Sequence, residues 1–112
     1  MSFHYSNKDK YQELLKVSNP DKVVINAIKY FKDPNIKVYL SSSKSYKYMI
    51  YDDNLKKVNF GSIEYSDFTK HNNIERRENY LKRSDGIRGN WRDNKYSKNN
   101  LSRALLWDSM EK

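Results

Sequence analysis

The chain has 112 residues, a length typical of one domain, and we predict a single domain over residues 1–112. It contains no cysteine, which excludes disulfide bonds, cysteine-ligated zinc and thiol nucleophiles. Lys and Arg number 22 against 14 acidic residues, and the net charge of +8 favours an acidic partner. No stretch approaches about 18 apolar residues and the first ten residues are polar, so we expect no membrane-spanning helix and no secretory signal.

Residues 1–43 are predicted to contain two helices and the first strand. The first helix covers residues 7–17, where apolar side chains recur on one side. The second begins with Asn19 as a suitable N-cap and Pro20 at the first helical position, where the missing N–H is not needed. It ends before Pro34, because the residue preceding a proline avoids helical angles.

Alternating apolar and polar residues in the middle of the chain predict β-strands. We predict strands at residues 37–40, 46–51 and 56–60. The last two form a hairpin, because residues 52–54 (Asp-Asp-Asn) have the composition of a tight turn. Residues 63–68 are predicted to add an irregular edge segment to this small antiparallel sheet.

The last part of the chain returns to a helical pattern. Asn72 and Asn73 are alternative N-caps for one helix, and Ser97 and Asn100 are alternative N-caps for the final helix. Residues 84–92 lie between these helices and are predicted to form an exposed loop. The chain is therefore expected to be α+β, with N-terminal helices, a small antiparallel sheet and C-terminal helices.

The positive charge is concentrated in residues 76–103. These 28 residues contain all six arginines and three lysines against three acidic residues, and so hold +6 of the net charge of +8. Arginine forms bidentate hydrogen bonds with phosphates and stacks on bases, so we favour an anionic contact surface over a merely solvated face. The candidate nucleic-acid-binding residues are Arg76, Arg77, Lys82, Arg83, Arg88, Trp91, Arg92, Lys95, Lys98 and Arg103.

Within this region, Trp91 lies between two arginines in a loop that also contains two glycines. Such a loop could enter a DNA minor groove, bind phosphates or contact an acidic protein surface. The alternative is that Trp91 fills the core, since tryptophan is usually largely buried. The chain has ten tyrosines, and we favour a structural role for them over stacking on nucleobases, since Tyr39, Tyr46, Tyr48 and Tyr51 lie on predicted strands.

Ser66, Asp67 and His71 are the residue types of a hydrolase triad, but residues so close in sequence rarely converge beside an oxyanion hole. We expect Asp67 and His71 to brace a turn or to cap the following helix. A small metal-dependent nuclease would need a carboxylate cluster, and its candidates are Asp52, Asp53, Glu64 and Asp67. We predict no enzyme activity, no catalytic residue, no metal and no cofactor.

Several short motifs follow one another in the basic module over residues 44–107. They are residues 46–50 (YKYMI), 58–61 (VNFG), 65–69 (YSDFT) with His71, Arg76 and Arg77 with Tyr80 and Arg83, and 105–107 (LLW). In order and spacing they resemble an uncharacterised family of short basic proteins encoded by large nucleocytoplasmic DNA viruses of algae and amoebae. The chain departs from the family pattern at Glu64, at Ser84, and at Leu101 and Ala104, where that family has glycine, histidine and tryptophans.

The resemblance implies a viral origin and packaging in the virion. Together with the charge distribution, it predicts a non-enzymatic protein that binds and compacts packaged genomic DNA, either naked or as viral nucleosomes. We expect it in the virion and in the viral factory, nucleus or cytoplasm of the infected cell. The alternative is a virion structural or interaction protein, minor capsid or tegument-like, that contacts acidic virion proteins. Exposed strand edges would allow a homodimer, and no membrane contact is expected.

Overall fold

The computed structural model describes residues 3–109, in which helices at both ends of the chain surround one four-stranded sheet. The fold class is α+β, as predicted. Among the described residues, none of the helices has the length and apolar content that crossing a bilayer requires.

Both predicted N-terminal helices form, and the second confirms the capping signal of Asn19 and Pro20. Helix α1 spans Lys8–Val17, and its N-cap Asn7 accepts a hydrogen bond from the N–H of Lys10. Helix α2 spans Pro20–Phe31, and its N-cap Asn19 accepts from the backbone of the first turn in the same way.

The sheet is mixed, which corrects the prediction of a purely antiparallel sheet. Its strands β1 (Phe3–His4), β2 (Val38–Leu40), β3 (Tyr46–Tyr51) and β4 (Lys57–Ser62) lie side by side in that order. The last three are antiparallel, with β3 and β4 forming the predicted hairpin, whereas β1 pairs with β2 in parallel. A strand of two residues has no alternation to detect, so sequence patterns cannot reveal β1.

The C-terminal half contains short helices around one longer one. They are α3 (Phe68–His71), α4 (Ile74–Asp85), a 3₁₀ helix (Trp91–Asp93), and α5 (Lys98–Leu101), which continues as a π-helical turn (Ser102–Leu106). Of the alternative caps, the structure uses Asn73 for α4 and Ser97 for α5.

Residues 63–68 do not form an edge strand, so this prediction is wrong. The Asp67 side chain accepts from the N–H of Thr69 as the N-cap of α3, and the Asp67 N–H donates to the carbonyl of Val17. The segment is therefore bonded to the end of α1, and it contacts the sheet without extending it, through the N–H of Ile63 to the carbonyl of Ser45 and through the ion pair of Asp67 with Lys47 of β3.

One hydrophobic core joins both parts of the chain. It contains fully buried side chains from the first two helices, from one face of the sheet and from the π-helical turn, among them Leu14, Val23, Tyr48, Phe60 and Leu105. Residues 1–43 thus pack against the basic module 44–107, and this shared core places α5 and the π-helical turn beside β4.

Candidate functional site

The candidate binding residues lie in different surroundings, because α4 exposes only part of its circumference. Arg76 and Arg83 are seven positions apart, lie on one side of the helix and are exposed. Arg77, next to Arg76 in the sequence, lies about 100° further round the helix and is only half-exposed.

Arg77, one of the predicted phosphate contacts, is half-buried and makes hydrogen bonds within the protein. Its Nε donates to the carbonyl of Trp107 at 2.7 Å, and its Nη2 donates to the carbonyl of Asp108 at 2.9 Å. Its guanidinium lies 5.5 Å from the ring centroid of Phe68. These contacts fix the chain after the π-helical turn against α4.

Arg103, another predicted phosphate contact, is buried, and this placement argues against its assignment to an exposed binding surface. The residue is 5% exposed, and its Nη1 donates to the carbonyl of Leu81 at 2.9 Å and to Oγ of Ser84 at 2.6 Å. Both acceptors lie on α4, so Arg103 attaches the π-helical turn to that helix.

Trp91 is buried inside the protein and is not available to a partner, in agreement with the alternative interpretation of the loop. It is 8% exposed, and its indole N–H donates to the carbonyl of Ile87 at 2.7 Å. The guanidinium groups of Arg92 and Arg103 lie 4.1 and 5.4 Å from its ring centroid. The tryptophan therefore anchors its own loop.

The remaining outer cations do not form one surface. Arg92 forms an ion pair with Asp85, and it lines a pocket of about 720 Å³ together with Lys95, Asp53 and other residues. Lys82 is exposed on the side of α4 that carries the two glutamates of that helix. Arg88 is exposed in the loop that follows α4.

Arg76, Arg83 and Lys98 line a single open pocket of about 660 Å³, and we call them the pocket cations. The walls of this cationic pocket come from β3, the end of β4, the segment before α3, helices α4 and α5, and the π-helical turn. Gly61 of β4 has a φ of +78°, and a Cβ there would lie 2.7 Å from Cδ1 of Leu106. The absence of a side chain at Gly61 therefore lets the π-helical turn approach the sheet and close one side of the pocket.

The charge in the pocket is positive and uncompensated at its surface. Its lining residues, all within residues 3–109, include no aspartate or glutamate. Arg76 and Arg83 form no ion pair within the part of the chain that the structure describes. Lys98 donates from Nζ to the Tyr46 hydroxyl at 2.8 Å, a contact that leaves its charge unneutralised. Such a concave surface of one sign concentrates anions.

Aromatic rings contribute much of the remaining lining. The Tyr80 ring stacks on Trp107 with the centroids 4.3 Å apart and the planes inclined by 7°. Burial raises the pKa of Tyr80, so this phenol is neutral at physiological pH. Tyr65 and Ile87 are 66% and 51% exposed, and they mark the opening of the pocket.

A buried ion pair lies at the sheet side of the pocket. Lys47 of β3 is 2% exposed, and its Nζ lies 3.1 Å from Oδ2 of the fully buried Asp67. Burial lowers the pKa of Lys47, and the carboxylate of Asp67 opposes this effect. Lys47 lines the pocket, but its charge is compensated by the carboxylate of Asp67, which does not line the pocket.

Asp67 also belongs to a buried hydrogen-bond network that reaches the N-terminal helices. It accepts from the Thr69 hydroxyl, whose Oγ1 lies 3.2 Å from Oγ of Ser18. The Tyr48 hydroxyl donates to the same Ser18 oxygen at 2.7 Å. Burial raises the pKa of Tyr48 well above its usual value, so its hydroxyl keeps the proton that it donates.

The expectation that Asp67 and His71 brace the following structure is confirmed. Asp67 caps α3, and Nδ1 of His71 accepts from the N–H of Asn73 at 2.9 Å. Within residues 3–109, no three His, Asp or Glu side chains lie close enough together to hold a metal ion, so the four carboxylates considered for a nuclease do not form one cluster. Asp52 instead accepts from the N–H of Lys56 in the β3–β4 turn.

The sequence alone did not predict the pocket, whose tyrosines include Tyr46, assigned to a strand, and Tyr65 and Tyr80, to which no binding role was given. A signal was present in the order of the short motifs. Every motif that carries the family resemblance contributes at least one lining residue, from Tyr46 at the first motif to Trp107 at the last.

The fold and site define a small α+β protein with an open, cationic and aromatic-lined pocket. Residues 36–84, which include the sheet hairpin and most of α4, are similar to DUF5754, a family of unknown function. No curated protein and no solved structure matches the chain.

Proposed function

We propose that this protein is a non-enzymatic, viral nucleic-acid-binding protein that helps to compact a packaged genome, as naked DNA or as nucleosomes. The observation that supports this proposal is the convergence of Arg76, Arg83 and Lys98 on one pocket without an acidic lining residue. Phosphate oxygens are the ligands that arginine binds best, in bidentate geometry.

The proposed contact set is smaller than the arginine content of the sequence suggests. The pocket cations contact phosphates directly, while exposed Arg88 and Lys82 add long-range attraction. Arg77, Arg103 and Trp91 hold the contact surface in place from inside the protein. Binding of this kind is tolerant of sequence, because phosphates carry no base information.

The test measures binding to random-sequence duplex DNA and to nucleosomes by fluorescence anisotropy, across about 50 to 200 mM salt. We expect affinity to fall steeply with salt. Removing two phosphate contacts with Arg76→Gln and Arg83→Gln should reduce the slope of log K against log salt by about 1.8 and weaken low-salt binding about tenfold or more.

The matched control replaces two exposed lysines outside the pocket, Lys8→Gln and Lys29→Gln, and so changes the net charge equally. We expect it to weaken binding less than about threefold, since diffuse charge contributes little once screened. Equal losses in the two double variants would contradict the pocket as the contact site. No binding at low salt would overturn the proposal, and a pull-down of acidic virion proteins would then test the structural alternative.

A further inference from the structure

We infer that the cationic pocket takes one unpaired nucleotide, with its phosphate on the pocket cations and its base against the aromatic lining. This inference rests on the proposed function and specifies what the pocket itself binds. The exposed outer cations can contact a double helix, but the concave interior requires a smaller group.

The size and shape of the pocket fit an unpaired nucleotide. Ligand pockets for small organic molecules usually measure roughly 300–1,000 Å³, and this pocket measures about 660 Å³. Duplex DNA is a rigid, convex rod whose bases are stacked inside, so it can touch the opening of such a pocket but cannot fill it. An unpaired nucleotide has the size to enter.

The composition of the pocket lining also favours a nucleotide. A bare phosphate needs only cations and N–H donors, yet Tyr46, Tyr65, Tyr80 and Trp107 also line this pocket. Base–aromatic stacking tolerates any base, since every base has a flat π-face. Cations together with aromatic rings therefore fit a ligand that is both anionic and planar.

The exposed ring of Tyr65 provides a surface on which a base can stack. It is 66% exposed, and within residues 3–109 its ring makes no stacking contact and its hydroxyl no hydrogen bond. Two other lining residues, Arg76 and Ser66, provide a guanidinium and a hydroxyl on the same pocket. A base that covers Tyr65 would remove this apolar surface from water while its phosphate stays near Arg76.

The experiment compares a random single strand of about 12 nucleotides with a hairpin duplex of the same length, both labelled for anisotropy. We expect the single strand to bind at least about fivefold more tightly at the same salt concentration, as loss of even one weak stacking contact would give. Unlabelled dTMP should displace the strand, whereas thymidine and inorganic phosphate at the same concentration should not.

Asn79→Trp fills the pocket without changing the charge, because Asn79 is an exposed lining residue of α4. We expect this variant to lose about tenfold in single-strand affinity and less than about twofold in duplex affinity. Asn35→Trp, at an exposed position outside the pocket, is the control for a surface tryptophan. Tyr65→Ser should weaken single-strand binding about fivefold or more. Thermal melts check that all three variants fold.

The outcomes separate this inference from the proposed function. Duplex binding that depends on the pocket cations, with equal single-strand affinity and no effect of Asn79→Trp, overturns the nucleotide pocket and leaves the proposed function standing. Absence of binding to every nucleic acid overturns both. A phosphotyrosine peptide that binds more tightly than dTMP, and loses affinity with Asn79→Trp, overturns the assignment of the ligand as a nucleotide.

Discussion

The two sides of α4 have different roles. On the inner side, Arg77 binds the chain that follows the π-helical turn, and Ser84 binds that turn itself through Arg103. On the outer side, Arg76 and Arg83 line an open pocket. Arg76 and Arg77 are neighbours in the sequence, yet one faces solvent and the other donates to backbone carbonyls. The number of cations in a sequence segment therefore gives its charge, but it does not give the number of cationic side chains that a partner can contact.

The same contrast holds for the two lysines of the pocket. Lys98 is exposed and donates to a tyrosine hydroxyl, so its charge acts on the pocket. Lys47 is buried against Asp67, and its charge is used to hold the segment before α3 on the sheet. Substitutions in these two environments should therefore affect different properties, stability on the inner side and binding on the outer side.

The largest expected effect comes from breaking the buried ion pair. Asp67→Ala leaves the Lys47 ammonium buried without a counterion and removes the N-cap of α3, so it should lower the free energy of unfolding by about 3–5 kcal/mol. Urea denaturation followed by circular dichroism measures the loss. Glu64→Ala, at an exposed acidic residue nearby in sequence, is the control and should change stability by less than about 0.5 kcal/mol. A loss below about 1 kcal/mol for Asp67→Ala would show that the pair is not structural.

A crossed pair of arginine variants sharpens the comparison. Arg103→Met removes the donor to the Ser84 hydroxyl oxygen and one donor to the carbonyl of Leu81, which keeps the hydrogen bond from Oγ of Ser84, and should cost about 2–4 kcal/mol of stability. Arg83→Met removes the same group from an exposed position and should cost less than about 0.5 kcal/mol. DNA affinity, measured where both variants are folded, should fall only for Arg83→Met. The opposite pattern would mean that the inner and outer roles are exchanged.

The smallest expected effect is a pH dependence from His71. Burial lowers its pKa below the usual 6.5, the cations Arg76 and Lys47 act in the same direction, and Asp67 opposes them. The unfolded chain therefore takes up the proton more readily than the folded protein, so stability present above pH 6.5 is lost as the pH falls. Protonation also removes the Nδ1 lone pair that accepts from Asn73.

The measurement is urea denaturation at about pH 7.5 and pH 5.5, which bracket the unperturbed pKa of histidine. We expect the wild-type protein to lose more stability between these values than His71→Gln, in which this group cannot titrate. Equal losses would assign the pH dependence to other groups.

Local elements of the fold could be predicted because their signals are local. Asn19 with Pro20 marks the start of α2, and the alternation of residues 46–51 matches β3 residue for residue. The parallel strand β1 could not be predicted, because its two residues gain their conformation only by pairing with β2. The conformation of residues 63–68 could not be predicted for a similar reason, since Asp67 is bonded to Val17 of α1 and to the Lys47 side chain of β3 and not to a neighbouring strand.

The candidate site was predictable in region but not in detail. The charge cluster includes the pocket cations, because α4 and α5 carry them within a short stretch of sequence. No local rule distinguishes Arg103 from Arg83, since the carbonyl of Leu81 and the hydroxyl of Ser84 become acceptors only after the π-helical turn has packed on α4. Arginines that line a binding surface can be distinguished from arginines of the interior only in the three-dimensional structure.

The long sequence separation of the buried polar contacts has a consequence for how the chain folds during synthesis. Ser18 meets Thr69 across 51 residues, and Asn26 donates to the carbonyl of Leu105 across 79 residues. Closing such long loops costs backbone entropy before the packed contacts compensate for it, which slows folding relative to a purely helical protein. Helices α1 and α2 can form locally as they leave the ribosome. The pocket includes Trp107, so it can be completed only after almost the whole described chain has emerged, and a nascent chain has no nucleotide-sized cavity to offer.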